Sequence, residues 1–360
     1  MSGMSSKKKN STRKLVDVGE INPGEDSLCL GFLDAETESW RLSSKFFPSK
    51  VGGYPAWLVL EGLPTAEQLC CHSCQKPLAF LCQLYLPNSA REYAFHRTLF
   101  MFVCRDGNCS KSNSSNGLRV FRSQLHRRNK YYSYEPPVEH RLMAHSPGAA
   151  DYGKLCIICG AAGDKLCSQC KCVSYCSRSH QAIHWGCGHK KECKTLLQQQ
   201  GSGPSRVSNN RFLFPEAELT LEPVDETDDE NSESELTNDE IKQEIKKVMD
   251  HDPRVTIDEE SFLNASGDNQ KCKNKIKHAV ADPDGVTELE EMANTDKDET
   301  FVVFQEKIHD EPDQVIRYDR RGQPLLCSSH AVKLSSAAKT CPNCKRHRAF
   351  EFQVMPQMLN

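Results

Sequence analysis

Short apolar and aromatic runs separated by polar breaks dominate residues 28 to 143, and this pattern predicts strands rather than helices. The runs "FLCQLYL" and "FHRTLFMFVC" are rich in aromatic residues and are bounded by Pro, Asn and Gly. We therefore expect a mainly β N-terminal domain over residues 28–143. The segment "HSPGAADYG" that follows is typical of a linker, because small residues and Pro interrupt regular structure.

The remaining segments differ from one another in composition. Residues 1–27 are rich in Ser, Lys and Gly, which predicts a disordered basic tail. Residues 198–300 form a predicted linker that combines a docking segment, 211–222, with an acidic disordered stretch. Residues 301–360 regain apolar runs, "FVVFQ" and "AFEFQVMP", and are predicted to be a β-rich C-terminal segment. The docking segment is expected to pack on another part of the chain through Phe212, Phe214, Leu219 and Leu221.

Charge is unevenly distributed in a chain whose net charge is only -3. The stretch from Phe212 to Ile241 contains twelve Asp or Glu and neither Lys nor Arg, whereas Arg119 to Lys130 is basic and interleaved with aromatic residues. Because the chain as a whole is acidic, we expect no direct nucleic-acid ligand and interpret the basic run as a solvated face. No apolar run approaches the ~20 residues that cross a bilayer, and the polar, basic residues 1–14 are not expected to act as a secretory signal or a transit peptide. The sequence predicts a cytoplasmic protein that also reaches the nucleus.

Nineteen cysteines are present, and they cluster at short spacings such as "CSQCKCVSYCSRSH". In a reducing compartment this pattern indicates zinc rather than disulfides. A CxxC turn directs two sulfurs at one tetrahedral ion, and residues four apart share one face of a helical turn. Two closed zinc sites are therefore predicted from four such pairs: Cys156 and Cys159, Cys167 and Cys170, Cys176 and His180, His189 and Cys193.

Spacing alone leaves two pairings open. Sequential sites would join the first two CxxC pairs around one ion and leave the second ion to the two helical pairs. Interleaved sites would give each ion one CxxC pair and one helical pair. The interleaved sets are Cys156, Cys159, Cys176, His180 and Cys167, Cys170, His189, Cys193.

The eight ligands and the intervening "HQAIHW" resemble a MYND zinc finger, an α+β module expected over residues 151–197. The resemblance implies the interleaved pairing. It also implies that the finger binds proline-containing peptides near Gln181 and Trp185, although Trp185 is equally interpretable as a small core aromatic. Cys172 and Cys187 lie outside the pattern, and they are expected to be free thiols, with Cys172 a competitor for the ion at Cys170.

A third zinc site is predicted in the N-terminal domain. Cys71 and Cys74 precede the first apolar run, and Cys104 and Cys109 end the second. If the two runs pair as strands, their ends meet and four sulfurs surround one ion. The alternative is a set of buried, unliganded cysteines, of which Cys70 and Cys82 are further examples.

A wider resemblance extends over most of the chain. The runs "FPSKVGGYPAWL", "CCHSCQKPLAFLCQLY", "GLRVFRSQL", "YYSYEPP", "RFLFPEAEL", "PDQVIRY" and "FEFQVMPQMLN" occur in an order similar to the programmed cell death protein 2 family. The resemblance implies a tight turn at Gly52, Gly53 and Pro55 and a core position for Trp57. It also implies a non-enzymatic chaperone or adaptor for a small-subunit ribosomal protein in small ribosomal subunit biogenesis.

That function would give the acidic stretch Asp225 to Glu240 a role, because it could shield a basic client by long-range attraction. The alternative is an inert spacer. The family pattern continues past Asn360, so residues 301–360 are expected to form a partial domain. Cys341 and Cys344 would then lack their partners unless Cys327 and His330 replace them.

Other functions fit less well. A methyltransferase would require a SET domain, and a RING ligase would require a histidine between the second and third cysteine pairs; the sequence shows neither. A catalytic zinc keeps one ligand position open for water, whereas eight protein ligands fill both sites. The remaining alternative is a nuclear adaptor whose finger binds proline-containing peptides of transcriptional regulators.

Overall fold

The computed structural model describes residues 28–111, 114–141, 147–198, 207, 210–224, 298–329, 339–341 and 344–359. The predicted basic tail, the acidic stretch and His330 lie outside these residues. The chain divides into two compact units. One contains residues 1–224, 306–326 and 330–360, and the other contains residues 225–305 and 327–329.

An eight-stranded antiparallel sheet lies in the first unit, together with the finger, and it confirms the mainly β prediction for the N-terminal region. Its strands, in chain order, are β1 (Cys29–Asp34), β2 (Lys50–Val51), β3 (Ala79–Tyr85), β4 (His96–Val103), β5 (Leu118–Leu125), β8 (Ala217–Pro223), β9 (Ile316–Tyr318) and β10 (Phe352–Val354). Their spatial order is β10-β9-β1-β8-β2-β3-β4-β5. A second, two-stranded sheet joins β6 (Lys165–Leu166) to β7 (Ser174–Tyr175).

The central strands are apolar on both faces because both faces are covered. Side chains alternate along β4, so Phe100 and Phe102 enter one core while Leu99 enters another on the opposite face. β3 is buried along almost its whole length for the same reason. The side-chain amide of Gln83 in β3 is buried and donates to the carbonyls of Pro48 and Ala56, so it connects β3 to the segments before and after β2.

Residues that follow the finger in sequence complete the sheet. β8 lies between β1 and β2, with Leu33 opposite Leu219 and Val51 opposite Ala217. β9 and β10 extend the sheet beyond β1. The N-terminal strands therefore share one hydrogen-bonded ladder with strands contributed from more than 180 and 280 residues later.

A close backbone approach fixes the turn after β2. Gly52 has φ +59°, and a Cβ placed there would lie 1.8 Å from the carbonyl oxygen of Pro215. Gly53 donates its N–H to the carbonyl of Phe214. Only glycine fits at position 52, because the segment leading into β8 passes directly over it.

The sheet curls into a half-barrel. Leu84 and Leu99, from β3 and β4, share a core with Ile316 and Tyr318 of β9, although three strands separate β9 from β3 in the sheet. Arg97 of β4 also forms an ion pair with Glu351, which precedes β10. Curvature thus brings the C-terminal strands against the concave face of the central strands.

The finger contains few regular elements. Helix α1 (Arg178–His184) is capped by the Ser177 hydroxyl, which accepts from the His180 N–H. A kink at Gly188 separates α1 from helix α2 (Lys190–Gln198). In the part of the chain that the structure describes, no helix has the length and apolarity to cross a membrane.

The strand prediction for "FVVFQ" is wrong, because these residues lie in helix α3 (Glu299–His309). Asp298 begins the helix: its carboxylate accepts from Thr300 N–H, and its carbonyl accepts from Phe301 and Val302. An acidic cap, an acidic first turn and basic residues in the last turn are helix signals that outweigh the β propensity of a short apolar run.

Candidate metal centres

Two clusters of four ligand atoms lie in the finger, each built from one CxxC pair and one helical pair. Cys156 and Cys159 meet Cys176 and His180, and Cys167 and Cys170 meet His189 and Cys193. Within each cluster all ligand atoms lie within 4.8 Å of one another, and all eight residues are buried. The structure therefore has the interleaved arrangement and not the sequential one.

A third cluster joins Cys71 and Cys74 to Cys104 and Cys109. β3 and β4 pair with Ala79 opposite Val103, so the antiparallel register places the turn before β3 beside the loop after β4. The sulfurs of Cys74 and Cys104 are 3.6 Å apart. All four thiols face one point, as the sequence argument requires of a metal site.

The distances within the clusters fit a tetrahedral zinc ion. Zn–S bonds of about 2.3 Å at tetrahedral angles place two sulfurs roughly 3.8 Å apart. The observed separations are 3.7 Å between Cys159 and Cys176 and 3.8 Å between Cys167 and Cys193. His189 Nε2 lies 3.7 Å from the Cys170 sulfur. Three sulfurs with one imidazole, or four sulfurs, form a soft donor set that suits zinc.

The same backbone turn forms each CxxC pair. In the first, Gln75 N–H donates to the Cys71 carbonyl and Cys71 N–H donates to the Lys76 carbonyl. Equivalent bonds follow Cys156 and Cys341, and at Cys167 the N–H donates one residue further on, to the Val173 carbonyl. The fourth residue after each leading cysteine has a positive φ, and glycine fills this position only once. These residues are Gln75 (58°), Gly160 (71°), Lys171 (56°) and Lys345 (58°).

The thiol pKa values within a cluster diverge because three or four close thiols cannot all ionise. Burial raises the pKa of Cys167, but N–H groups of the turn and His189 outweigh it and bring that pKa to about 6. The pKa of Cys193 rises to about 12 through burial and the neighbouring Cys167. In the third cluster the pKa of Cys71 falls to about 7 and that of Cys109 rises to about 12. A divalent cation would neutralise this repulsion.

A buried histidine outside the clusters packs against the ligand His189. His184 is buried and stacks on His189 with ring centroids 4.6 Å apart, and its Nδ1 shares a hydrogen bond with the Tyr175 hydroxyl at 2.9 Å. His184, His189 and Glu192 also bring ligand atoms together, yet Tyr175 already engages Nδ1 of His184. The sequence reasoning missed this supporting role of His184, for which its place beside the ligand His189 was the available signal.

The finger and the sheet share one hydrophobic core. Trp57, 4% exposed, stacks on Phe102 and donates its indole N–H to the Gly160 carbonyl at 2.8 Å. The Tyr54 hydroxyl donates to the Ile157 carbonyl at 2.7 Å. The Asn210 amide donates to the Ile158 carbonyl at 2.8 Å, so three side chains hold three carbonyls of the turn that contains Cys156 and Cys159.

The predicted docking segment lies between the finger and the sheet. Phe212 packs edge-on against the ligand His180, with ring centroids 4.3 Å apart. Phe214 lies under the guanidinium of Arg105 at 4.3 Å. Beyond Phe214 the chain continues directly into β8, so the segment connects the two parts of the core.

The predicted partner contacts lie on the surface of the finger. Trp185 is 39% exposed and makes an edge contact with His189, at 6.0 Å between ring centroids. Gln181 lies one turn earlier on α1 and is partly exposed. Trp185 is therefore available to a partner rather than enclosed in a core.

The other cysteines have separate environments. Cys172 is exposed, and its thiol donates to the Cys170 carbonyl rather than joining the second cluster. Cys187 and Cys327 are exposed, and Cys82 is buried in the sheet, where burial raises its pKa to about 12. Within the described residues, Cys341 and Cys344 adopt the metal turn but belong to no cluster of ligand atoms.

The basic run belongs largely to the edge strand β5 and the turn after it. Arg127 and Arg128 lie over the ring of Tyr134, and Lys130 pairs with Glu61. Tyr132 is buried and donates to the Leu58 carbonyl. Most of the aromatic and basic groups of this run are thus engaged within the protein.

Family models match three parts of the chain. Residues 27–139 match the N-terminal domain of programmed cell death protein 2, residues 156–193 match the MYND finger, and residues 298–360 match the C-terminal domain of programmed cell death protein 2. The MYND finger implies zinc in the two central clusters. No solved structure matches the chain.

Curated relatives extend over nearly the whole chain. Programmed cell death protein 2 of Bos taurus is 39% identical over 340 residues, which are 92% of this chain and 84% of the relative. The Rattus norvegicus protein of the same name is 37% identical, with the same coverage. A Schizosaccharomyces pombe protein named "Probable 20S rRNA accumulation protein 4" is 39% identical over 74 residues, 18% of each chain. On this evidence, the chain belongs to the programmed cell death protein 2 family.

Proposed function

We propose that this chain is a non-enzymatic, zinc-stabilised chaperone or adaptor for a small-subunit ribosomal protein, and that it supports small ribosomal subunit biogenesis. The observation that carries the proposal is the match to a relative whose name refers to 20S rRNA accumulation, within a family that the whole chain resembles. The cytoplasm, where ribosomal proteins are made, is the expected location.

Zinc is proposed as scaffold and not as catalyst. Each of the three clusters has four protein donors, which leave no position for water or substrate. Two ions would occupy the finger, and a third would be bound by Cys71, Cys74, Cys104 and Cys109. A structural zinc contributes on the order of 10 kcal/mol to folding, comparable to the whole stability of a small domain.

Charge supplies a reason for a basic client. Ribosomal proteins carry many Lys and Arg residues, which bind RNA indiscriminately before assembly. The acidic stretch Asp225 to Glu240 lies outside the described residues, and its nine carboxylates are expected to attract such a client at long range.

Affinity purification of the tagged full-length chain, followed by mass spectrometry and zinc analysis, tests the proposal. We expect strong enrichment of one small-subunit ribosomal protein. A variant with Asp225, Asp228 and Asp229 replaced by Asn should lose client at raised salt before the wild type does. Two results would contradict the escort function: equal recovery of the client with the wild type and this variant at raised salt, or recovery of a collection of unrelated basic proteins.

A second candidate function follows from Trp185. An exposed indole directly after α1 suits the binding of a proline-containing peptide, which would make the protein an adaptor. The double variant Gln181→Ala and Trp185→Ala keeps all eight ligands of the finger. If it retains zinc and the ribosomal client but loses proline-containing peptides, both functions are present; if it loses the client too, the finger surface and not the larger unit holds the client.

A further inference from the structure

Four arginines converge on one cavity at the concave side of the sheet. Arg91, Arg97, Arg122 and Arg320 line it, with the amides of Asn88 and Gln124 between them. Its volume of about 120 Å³ admits several water molecules or one small anion. No candidate site described above includes these residues.

The register of the sheet explains the convergence. Arg97 of β4 lies opposite Gln124 of β5, and Leu99 lies opposite Arg122, so these four side chains share one face. Arg320 follows β9, which the curled sheet brings against that face. More than 190 residues separate Arg122 from Arg320, and only the half-barrel places them together.

The positive charge of the cavity is only partly balanced. Arg97, almost completely buried, pairs with Glu351. Within the described residues, Arg91, Arg122 and Arg320 form no ion pair with a carboxylate. Three like charges around one small space repel one another, and a multivalent oxyanion would relieve that repulsion. Guanidinium groups bind phosphate through paired, charge-assisted hydrogen bonds.

An aromatic ring at the cavity narrows the ligand class. Tyr93 lines the cavity, is 54% exposed, and has its hydroxyl 3.4 Å from the Arg91 guanidinium. A flat exposed ring beside a phosphate-sized basic cavity is the arrangement by which proteins hold a nucleotide, with the base stacked on the ring. A phosphorylated peptide would use the arginines but would leave the ring without a role.

We propose that this cavity binds the phosphate group of a nucleotide unit, free or within single-stranded RNA, with Tyr93 stacked against the base. The inference is independent of the escort function. It differs from the expectation drawn from net charge, because the acidic residues that make the chain acidic are concentrated elsewhere in the sequence and the cavity is locally basic.

Fluorescence anisotropy of zinc-loaded full-length protein with labelled single-stranded RNA tests the proposal. Arg122→Gln, Arg320→Gln and Tyr93→Ala should each weaken binding about tenfold, and each arginine variant should lower the salt slope by about one. Arg178→Gln, an exposed arginine on α1, is the matched charge control and should change binding less than twofold. Circular dichroism and urea midpoints equal to those of the wild type establish that the variants are folded.

Competition with unlabelled ligands separates the sources of phosphate. If adenosine monophosphate displaces the labelled RNA at a lower concentration than inorganic phosphate does, the cavity binds free nucleotides. If only unlabelled RNA displaces it, the cavity binds nucleotide units within RNA. Stronger displacement by a phosphoserine peptide, or an unchanged affinity in Tyr93→Ala, would overturn the nucleotide assignment. Equal losses of RNA affinity in Arg178→Gln and Arg122→Gln would show that the cavity is not the binding site.

Discussion

Two hydrogen bonds between the sheet and the first metal turn make a testable link between zinc and the β domain. The variants are Tyr54→Phe, which removes only a hydroxyl, and Trp57→Phe, which removes an indole N–H. Each leaves a carbonyl without its side-chain donor, that of Ile157 in the first variant and that of Gly160 in the second. An unsatisfied buried acceptor costs about 1–3 kcal/mol.

The expected loss differs between the two positions. Tyr54 is half-buried, so water can replace part of its bond and we expect about 1 kcal/mol. Trp57 is 4% exposed and also stacks on Phe100 and Phe102, so its loss should reach about 3 kcal/mol. Urea unfolding followed by circular dichroism measures the free energy, and a chromogenic chelator measures the rate of zinc release. Zinc release should be faster in both variants.

The control is Tyr152→Phe, because Tyr152 is exposed and its ring makes an edge-on contact with Tyr131. This change should stay within about 0.5 kcal/mol of the wild type. The reasoning fails if Trp57→Phe costs no more than the control, or if the sheet and the finger unfold in separate transitions with zinc release unchanged. Either result would mean that the shared core does not couple them.

Three further predictions follow from individual positions. Gly52→Ala should lower the free energy of unfolding in urea clearly more than Gly62→Ala. Both residues have φ near +60°, where a Cβ costs about 1–2 kcal/mol, but of the two only Gly52 lies against the Pro215 carbonyl. Equal losses would contradict the close approach. Cys71→Ser should lower the zinc content by one ion per chain in metal analysis, whereas Cys70→Ser should leave it unchanged; unchanged zinc in both would exclude the third site. Burial, with a contribution from Arg127, lowers the pKa of His96 to about 4. As the pH falls, His96 is therefore protonated near pH 6.5 in the unfolded chain but only near pH 4 in the folded chain. The free energy of unfolding of the wild type, minus that of His96→Gln, should therefore fall by on the order of 3 kcal/mol as pH drops from about 6.5 to 4, and a pH-independent difference would refute this.

Much of the metal chemistry could be predicted from sequence because its determinants are local. A CxxC turn and a pair of residues four apart are each set within one turn of backbone, so the residues of the clusters around Cys156 and Cys167 followed from spacing. The third cluster needed one further step, the pairing of β3 with β4, which two neighbouring aromatic runs indicated.

Spacing could not choose between sequential and interleaved sites, since both satisfy four ligands per ion. Folding of the finger decided it, because Tyr175, Val173 and Ile158 share a core that brings each CxxC pair beside a helical pair. The short run "FVVFQ" was misassigned for a related reason: five apolar residues fit a strand or a helix, and the capping by Asp298 determines which forms.

The sequence by itself determined the residues that can bind zinc, the mainly β character of the N-terminal region and the family, since these depend on local spacing and on the order of motifs. Only the tertiary structure decided that β8, β9 and β10 complete the N-terminal sheet, that Trp57 and Tyr54 join the finger to it, and that Arg97, Arg122 and Arg320 line one cavity. These features depend on contacts between residues about 100 to 300 positions apart. Such contacts leave no periodic pattern along the chain, because the pairing of distant strands is selected by the burial of the whole core.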